Sequence, residues 1–123
     1  MPIFGHKVLQ LFLLLFLANG VQAAELLYFY DPNCGACKNF DQQVGRIYSR
    51  TDEAQQAPMR KINIAGLSSQ EIESASGIAL KAGVVGTPTF VLADGETEID
   101  RFSGYSNDEL YWMSLQRLLN MLK

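Results

Sequence analysis

The chain contains two cysteines, Cys34 and Cys37, with two residues between them. Thiols at this spacing suit thiol–disulfide exchange, because the first attacks a partner disulfide as a thiolate and the second is close enough to resolve the mixed disulfide. A disulfide that only staples the fold is the structural alternative, but the chain-entropy model gives so short a loop only about 2 kcal/mol. We therefore expect Cys34 to be exposed and reactive, and Cys37 to be sheltered.

The residues around the pair predict a strand, a turn and a helix. Residues 26–30 form an apolar run, and Asp31-Pro32-Asn33 after it is typical of a turn. Apolar residues then recur at helical spacing on one face, which places the second sulfur on the core-facing side. Cys34 falls at the helix start, where unpaired N–H groups and the helix dipole favour a thiolate. The predicted apolar face consists of Cys37, Phe40, Val44, Ile47 and Tyr48.

The N-terminal residues predict export. Lys7 precedes an apolar run over residues 8–18, and Val21-Gln22-Ala23 follows as a small-residue cleavage pattern. An uninterrupted apolar stretch of about ten residues is short of the roughly 20 that span a bilayer. We therefore predict a signal peptide over residues 1–23 and a mature domain over 24–123, with an uncleaved membrane anchor as the alternative. Export leads to the bacterial periplasm or another oxidising space, where a disulfide persists.

Composition excludes several classes of site. The chain has one histidine, His6, and cleavage removes it, so a Cys–His nucleophile pair and a Cys–His zinc site are excluded within one mature chain. The net charge is -3 and the basic residues are scattered, which argues against nucleic acid as a partner. We expect one domain, a monomer, with no metal and no cofactor.

The middle of the chain predicts a second strand and a second helix. Residues 49–58 are polar and end in a proline, which indicates a surface connection. Residues 59–64 alternate apolar and polar side chains, as a strand does. Ser68 and Glu71 form a capping-box pattern that starts a helix extending as far as Lys81, with Gly77 as a candidate break.

Pro88 stands directly before apolar residues 89–92. Because proline cannot donate to a strand ladder, it belongs at the first residue of this strand or on an edge. Asp94-Gly95 is a hairpin signal, so residues 96–102 are predicted to return antiparallel.

A second capping-box pattern, Ser106 with Glu109, predicts the start of a closing helix. The resulting order is strand, helix, strand, helix, strand, strand, helix. This order describes an α/β fold, a four-stranded mixed sheet with helices on both faces. The apolar face of the closing helix consists of Tyr111, Leu115, Leu118 and Leu122.

Two of these segments resemble the thioredoxin family. The first is the strand, Cys-x-x-Cys and helix of residues 26–48, and the second is residues 81–90, which look like the family's approach to its cis-proline strand. The resemblance implies the minimal thioredoxin-like fold, in the order βαβαββα. It also implies a cis bond before Pro88, with Thr87 facing the cysteines and offering its backbone to an extended substrate peptide. Asn33, Gly35 and Ala36 complete the implied active-site loop.

The chain departs from the family pattern at three places near the cysteines. Tyr28 stands where thioredoxin has a buried aspartate, so the proton acceptor proposed for the second thiol is absent. We expect Tyr28 in core or rim packing rather than as a replacement base. Asn33 replaces the usual tryptophan, and Gly35-Ala36 replaces Gly-Pro.

The leading hypothesis is an exported oxidoreductase in which Cys34 attacks and Cys37 resolves disulfides of protein substrates, acting as a reductant. The resemblance implies a membrane-bound thiol–disulfide protein as electron donor. One alternative is a metal carrier, since two thiolates can hold Cu(I) and two chains together can form a four-thiolate zinc site. Another is a binding module that keeps the fold without turnover.

Overall fold

The computed structural model describes residues 24–123, so the predicted signal peptide lies outside the described residues. The strands are β1 (Ala24–Tyr30), β2 (Met59–Asn63), β3 (Thr89–Asp94) and β4 (Thr97–Ser103). β1 pairs parallel with β2 and antiparallel with β3, and β3 pairs antiparallel with β4. The predicted four-stranded mixed sheet is thus confirmed, with strand order β2-β1-β3-β4.

The helices follow the predicted order with one addition. A short helix, Asp52–Gln56, lies within residues 49–58, where we expected a surface connection and predicted no helix. Thr51 caps this helix, because its hydroxyl oxygen accepts the Ala54 N–H. Two acidic residues in the first turn interact favourably with the positive end of the helix dipole. The helical elements are α1 (Gly35–Phe40), a π-helical turn (Asp41–Gly45), α2 (Arg46–Tyr48), α3 (Asp52–Gln56), α4 (Ser69–Ser76), α5 (Asp108–Leu119) and a 3-10 turn (Asn120–Leu122).

One of the two predicted capping boxes is present. At the start of α4, the Ser68 hydroxyl oxygen accepts the Glu71 N–H and the Glu71 carboxylate accepts the Ser68 N–H. This helix ends before Gly77, whose φ of 71° suits the left-handed conformation common at the end of a helix. The predicted extension to Lys81 is therefore wrong. The predicted box at Ser106 is also wrong, since Asn107 caps α5 by accepting the Leu110 N–H at 2.9 Å.

Both faces of the sheet are covered by helices, as predicted. On one face, the inward side chains of β1 and β3 pack with residues of α1, the π turn and α5. On the other face, the alternate side chains of β1 and β3 pack with Ile72 of α4. Burial on both faces explains why the central strands are continuous apolar runs rather than alternating ones. Across residues 24–123, no helix is long and apolar enough to cross a membrane.

Glu98 and Arg101 of β4 form an ion pair that also makes hydrogen bonds to the segment between α4 and β3. The Glu98 side chain is 1% exposed and accepts the Arg101 Nε–H at 2.7 Å. Glu98 also accepts the Lys81 backbone N–H, while Arg101 donates to the carbonyl oxygens of Ala82 and Gly83. Burial opposes ionisation of Glu98, but the bonds from Arg101 and Lys81 outweigh it and lower its pKa. This pair therefore fixes the approach to the Pro88 strand.

Arg101→Met should lower the free energy of unfolding by about 3 kcal/mol, because it leaves the Glu98 charge buried without its partner. Chemical denaturation near pH 7 measures the loss. Arg117→Met is the matched control. Arg117 pairs with Asp100 at the surface, where the two side chains are 51% and 37% exposed, respectively. The control should therefore lower the free energy of unfolding by only about 0–1 kcal/mol.

The effect of Arg101→Met should also depend on pH. Since folding lowers the pKa of Glu98, its stabilisation is complete above the ordinary glutamate pKa of about 4.3 and is lost as pH falls through the lower folded value. The stability gap between wild type and variant should therefore narrow in acid. A gap that stays constant down to about pH 3 would rule out the Glu98 carboxylate as its source.

Candidate active site

A turn presents Cys34 at the start of α1. The Asp31 carboxylate accepts the Asn33 N–H at 2.8 Å, and the Asp31 carbonyl oxygen accepts the Cys34 N–H at 3.0 Å. Cys34 then takes an extended backbone conformation, and its carbonyl oxygen accepts the Lys38 N–H as the helix begins. The predicted turn and helix start are thus both present, and they place Cys34 at the helix N-cap.

The two cysteines form a disulfide with unequal surroundings. Cys34 is half-buried, whereas Cys37 is 1% exposed and belongs to the core. The Cys37 backbone N–H donates to Cys34 Sγ at 3.0 Å. After reduction, a donor in this position stabilises a thiolate at Cys34, because it bonds to the charged form. The sulfur nearer the surface is therefore the one equipped to carry negative charge.

The Thr87–Pro88 segment lies directly beside Cys34. The Thr87 carbonyl oxygen is 3.4 Å from Cys34 Sγ, and the Thr87–Pro88 peptide bond is cis. Pro88 is buried, and its carbonyl oxygen accepts the Gly104 N–H at 2.7 Å. The fold thus brings together the two motifs that the sequence keeps about 50 residues apart.

The remaining loop residues form the rim around Cys34. Asn33 and Gly35 are exposed and Ala36 is half-buried. A Cβ added at Gly35 would meet open space, so packing does not require a glycine there. Sequence reasoning missed one feature of the segment that leads to Thr87. Val85, two residues before Thr87, is an apolar residue that is 93% exposed.

Beneath the cysteines, Tyr28 occupies the core, as expected. Its ring stacks on Phe90 and meets Phe40 edge-on. Its hydroxyl lies 3.0 Å from Asp41 Oδ1 and 3.2 Å from the Cys37 carbonyl oxygen. Burial and the bond to Asp41 raise the pKa of Tyr28. The sequence analysis missed this pair, although Asp41 follows Cys37 by four residues and so lies on the same helix face.

Comparison with known proteins identifies relatives of this arrangement. The sequence model of a family described as a thioredoxin-like domain matches residues 15–118. The periplasmic thioredoxin SoxS from Paracoccus pantotrophus, in its reduced form, is 31% identical with a TM-score of 0.71, covering 81% of this chain and 99% of that chain. Malassezia sympodialis thioredoxin shares the fold at 20% identity and a TM-score of 0.59, covering 83% and 82% of the two chains. A comparison with curated proteins gives no match.

The unequal surroundings of the two sulfurs predict unequal reactivity. In the reduced protein near pH 7, iodoacetamide should label Cys34 at least about tenfold faster than Cys37, because only Cys34 combines access with a stabilised thiolate. Mass spectrometry of peptides from timed samples measures both rates. Denatured protein is the control, and there the rates should converge. Equal rates in the folded protein would contradict the assigned difference.

Proposed function

Because the chain belongs to the thioredoxin-like family, we propose that it is an exported thiol–disulfide oxidoreductase acting on protein substrates. One observation carries the proposal. Cys34 Sγ is half-buried at a helix start, accepts an amide hydrogen bond at 3.0 Å and lies 3.4 Å from the Thr87 carbonyl oxygen. This is the environment of an attacking thiolate beside a strip of substrate-accepting backbone.

The reaction proceeds in two displacements. The Cys34 thiolate attacks one sulfur of a substrate disulfide, forming a Cys34–substrate disulfide and releasing the other substrate sulfur as a thiolate. Cys37 then attacks Cys34 Sγ, which forms the Cys34–Cys37 disulfide and releases the second substrate sulfur. Two electrons pass to the substrate, and the cysteine pair becomes oxidised. The observed disulfide is the oxidised end of this cycle.

The Thr87–Pro88 segment is the proposed substrate-binding strip. Thr87 continues directly into β3, so an extended peptide lying along this segment can use backbone hydrogen bonds in the manner of an added strand. Such bonds are independent of side-chain identity, which suits a protein that accepts several disulfides. Around Cys34, Asn33, Gly35 and Ala36 form an open rim, and the exposed apolar residue Val85 precedes Thr87 by two residues.

We place the protein in the periplasm or an equivalent exported space, acting as a reductant. The N-terminal apolar segment and its cleavage pattern support export, and the relative SoxS is a periplasmic thioredoxin by name. In an oxidising compartment, the spent disulfide needs an electron source. A membrane-bound thiol–disulfide protein is the proposed donor.

Cys37→Ser should trap substrates covalently, because the mixed disulfide on Cys34 then lacks its resolving thiol. Expressed in its own compartment, the tagged variant should accumulate high-molecular-weight complexes that disappear on adding reductant. Non-reducing gels followed by mass spectrometry detect and identify them.

Cys34→Ser is the matched control and should trap far less, since it lacks the attacking thiolate. Equal capture by both variants would refute the proposed roles. If Cys37→Ser captures nothing while the wild type binds Cu(I) tightly through both thiols, the metal-carrier alternative replaces this function.

A further inference from the structure

The two edges of the sheet differ in how the chain covers them. Along β4, Ala79 forms a parallel bridge with Thr97. The Ala79 N–H donates to the Glu96 carbonyl oxygen at 2.7 Å, and the Ala79 carbonyl oxygen accepts the Glu98 N–H at 3.2 Å. β2 lies at the other edge, and no strand within residues 24–123 pairs with its outer side. β2 is therefore the open edge of the described sheet.

The outer side of β2 presents a row of backbone hydrogen-bonding groups. At the start of the strand, the Leu26 N–H donates to the Pro58 carbonyl oxygen at 2.9 Å. At its end, the Ile64 N–H donates to the Tyr30 carbonyl oxygen at 2.9 Å. Alternate residues of a parallel strand bond to the same neighbour, so the residues between them point their N–H and C=O groups outward. β2 contains no proline, and such an edge can accept an added strand. The outward residues are Met59, Lys61 and Asn63.

A mostly apolar groove of about 320 Å³ lies beside this edge. Tyr48 and Ala54 line it from the helical side, and Met59 and Lys61 line it from β2. Tyr48 is only 2% exposed, so the groove reaches down to a core side chain. Every second side chain of a strand points to the same face. A strand added to β2 would therefore place alternate side chains on the side of the groove, where an apolar one can fill it.

Lys61 is the charged residue among those that line the groove. Its ammonium lies 4.7 Å from the Tyr30 ring centroid and 5.7 Å from that of Tyr28. It forms no ion pair with any acidic group of residues 24–123, whereas the neighbouring Arg60 is paired with Glu25 at 2.7 Å. The groove thus combines an apolar cavity with one positive charge that the described chain does not neutralise.

The adjacent helical residues do not change the sign of this charge. Arg46 and Arg50 each follow a lining residue, while Asp52 and Glu53 precede the lining residue Ala54. These two positive and two negative charges balance. Lys61 therefore decides which charge a bound side chain meets at the strand.

A second copy of this chain is a poor occupant of the edge. Antiparallel pairing of two β2 strands about their middle residues would put Lys61 opposite Lys61, or Arg60 opposite Arg60. Like charges directly opposite each other destabilise a sheet, and lysine on an edge strand is a common guard against self-pairing. The charge instead favours a different protein whose strand carries a carboxylate.

β2 ends at the same end of the sheet as the redox site. Asn63 pairs with Tyr30 at the end of β1, and the chain leaves Tyr30 through the turn that presents Cys34. The segment at Thr87 lies on the opposite side of β1, directly before β3. A partner bound along β2 would therefore leave that segment free to receive its disulfide.

We propose that the open edge of β2 and its groove bind an extended segment of a partner protein as an added strand. One apolar side chain of the segment fills the groove, and an acidic side chain lies beside Lys61. In strand addition, backbone hydrogen bonds supply affinity and the side-chain pockets supply specificity. Holding the partner there raises the effective concentration of its disulfide at Cys34. The site binds without using the cysteines, so the inference goes beyond the proposed function.

Two short peptides, added to the oxidised protein, test the site. Both alternate threonine with leucine, and they differ at one central position, which is glutamate in one and lysine in the other. Trp112, the one tryptophan of the chain, stacks on Tyr48 with ring centroids 6.3 Å apart, so filling the groove should change its emission. The glutamate peptide should bind at least about fivefold more tightly, the scale of an opposite against a like charge across two strands. In amide NMR spectra, the largest shifts should fall on Met59, Lys61 and Asn63.

Lys61→Glu should reverse the preference between the two peptides, because it reverses the charge at the edge. Lys123→Glu makes the same charge change outside the groove and should bind both peptides as the wild type does. Methylating the edge-facing backbone nitrogens of the glutamate peptide should abolish binding, since it removes the N–H groups that an added strand donates.

Equal affinity for both peptides, no saturable binding of either, or shifts centred on Thr87 rather than on β2 would overturn the proposal. A dimer in sedimentation that the glutamate peptide dissociates would overturn it as well, by assigning the edge to a second copy. Neither peptide contains cysteine. Failure of this proposal is therefore distinguishable from failure of the proposed function, which concerns disulfide exchange at Cys34.

Discussion

The antiparallel pairing of β1 with β3 is the constraint on which the site depends. Its register sets Phe29 opposite Thr89, so the chain leaving β1 and the chain entering β3 meet at the same edge of the sheet. The first leads through a tight turn to Cys34, and the second arrives through Thr87. A shift of this register by one residue would move the apolar side chains of the shifted strand to the opposite face of the sheet. The core packing that fixes this register therefore also fixes the position of Cys34 beside Thr87.

That core also decides the division between the two cysteines. The helix that starts at Cys34 packs on the sheet through Phe40, whose ring lies 4.7 Å from that of Phe90 and 4.8 Å from that of Tyr28. Packing this face against the sheet necessarily buries Cys37, one turn before Phe40. Cys34 stays at the helix end, beside an amide donor.

Local signals in the sequence predicted most of the framework. The strands at residues 26–30 and 89–92 were evident because burial on both faces demands continuous apolar runs, and the Ser68 capping box depends only on neighbouring residues. Local signals failed where they compete, as at Ser106 and Asn107, since both side chains can cap a helix and the folded chain uses the second. The π turn at Asp41 has no sequence signature. The Tyr28–Asp41 bond joins a strand to a helix, so only the folded structure reveals it.

The central claim, that Cys34 and Cys37 are a redox-active pair rather than a structural staple, is tested most directly by the equilibrium of the purified protein with glutathione. Trapping the thiols across a series of reduced-to-oxidised glutathione ratios gives the reduction potential. The account predicts a single reversible two-electron transition between about −270 and −120 mV, the range of thioredoxin-fold oxidoreductases. A disulfide that stays oxidised at every ratio, with a potential below about −300 mV, is the mark of a structural bond and would contradict it.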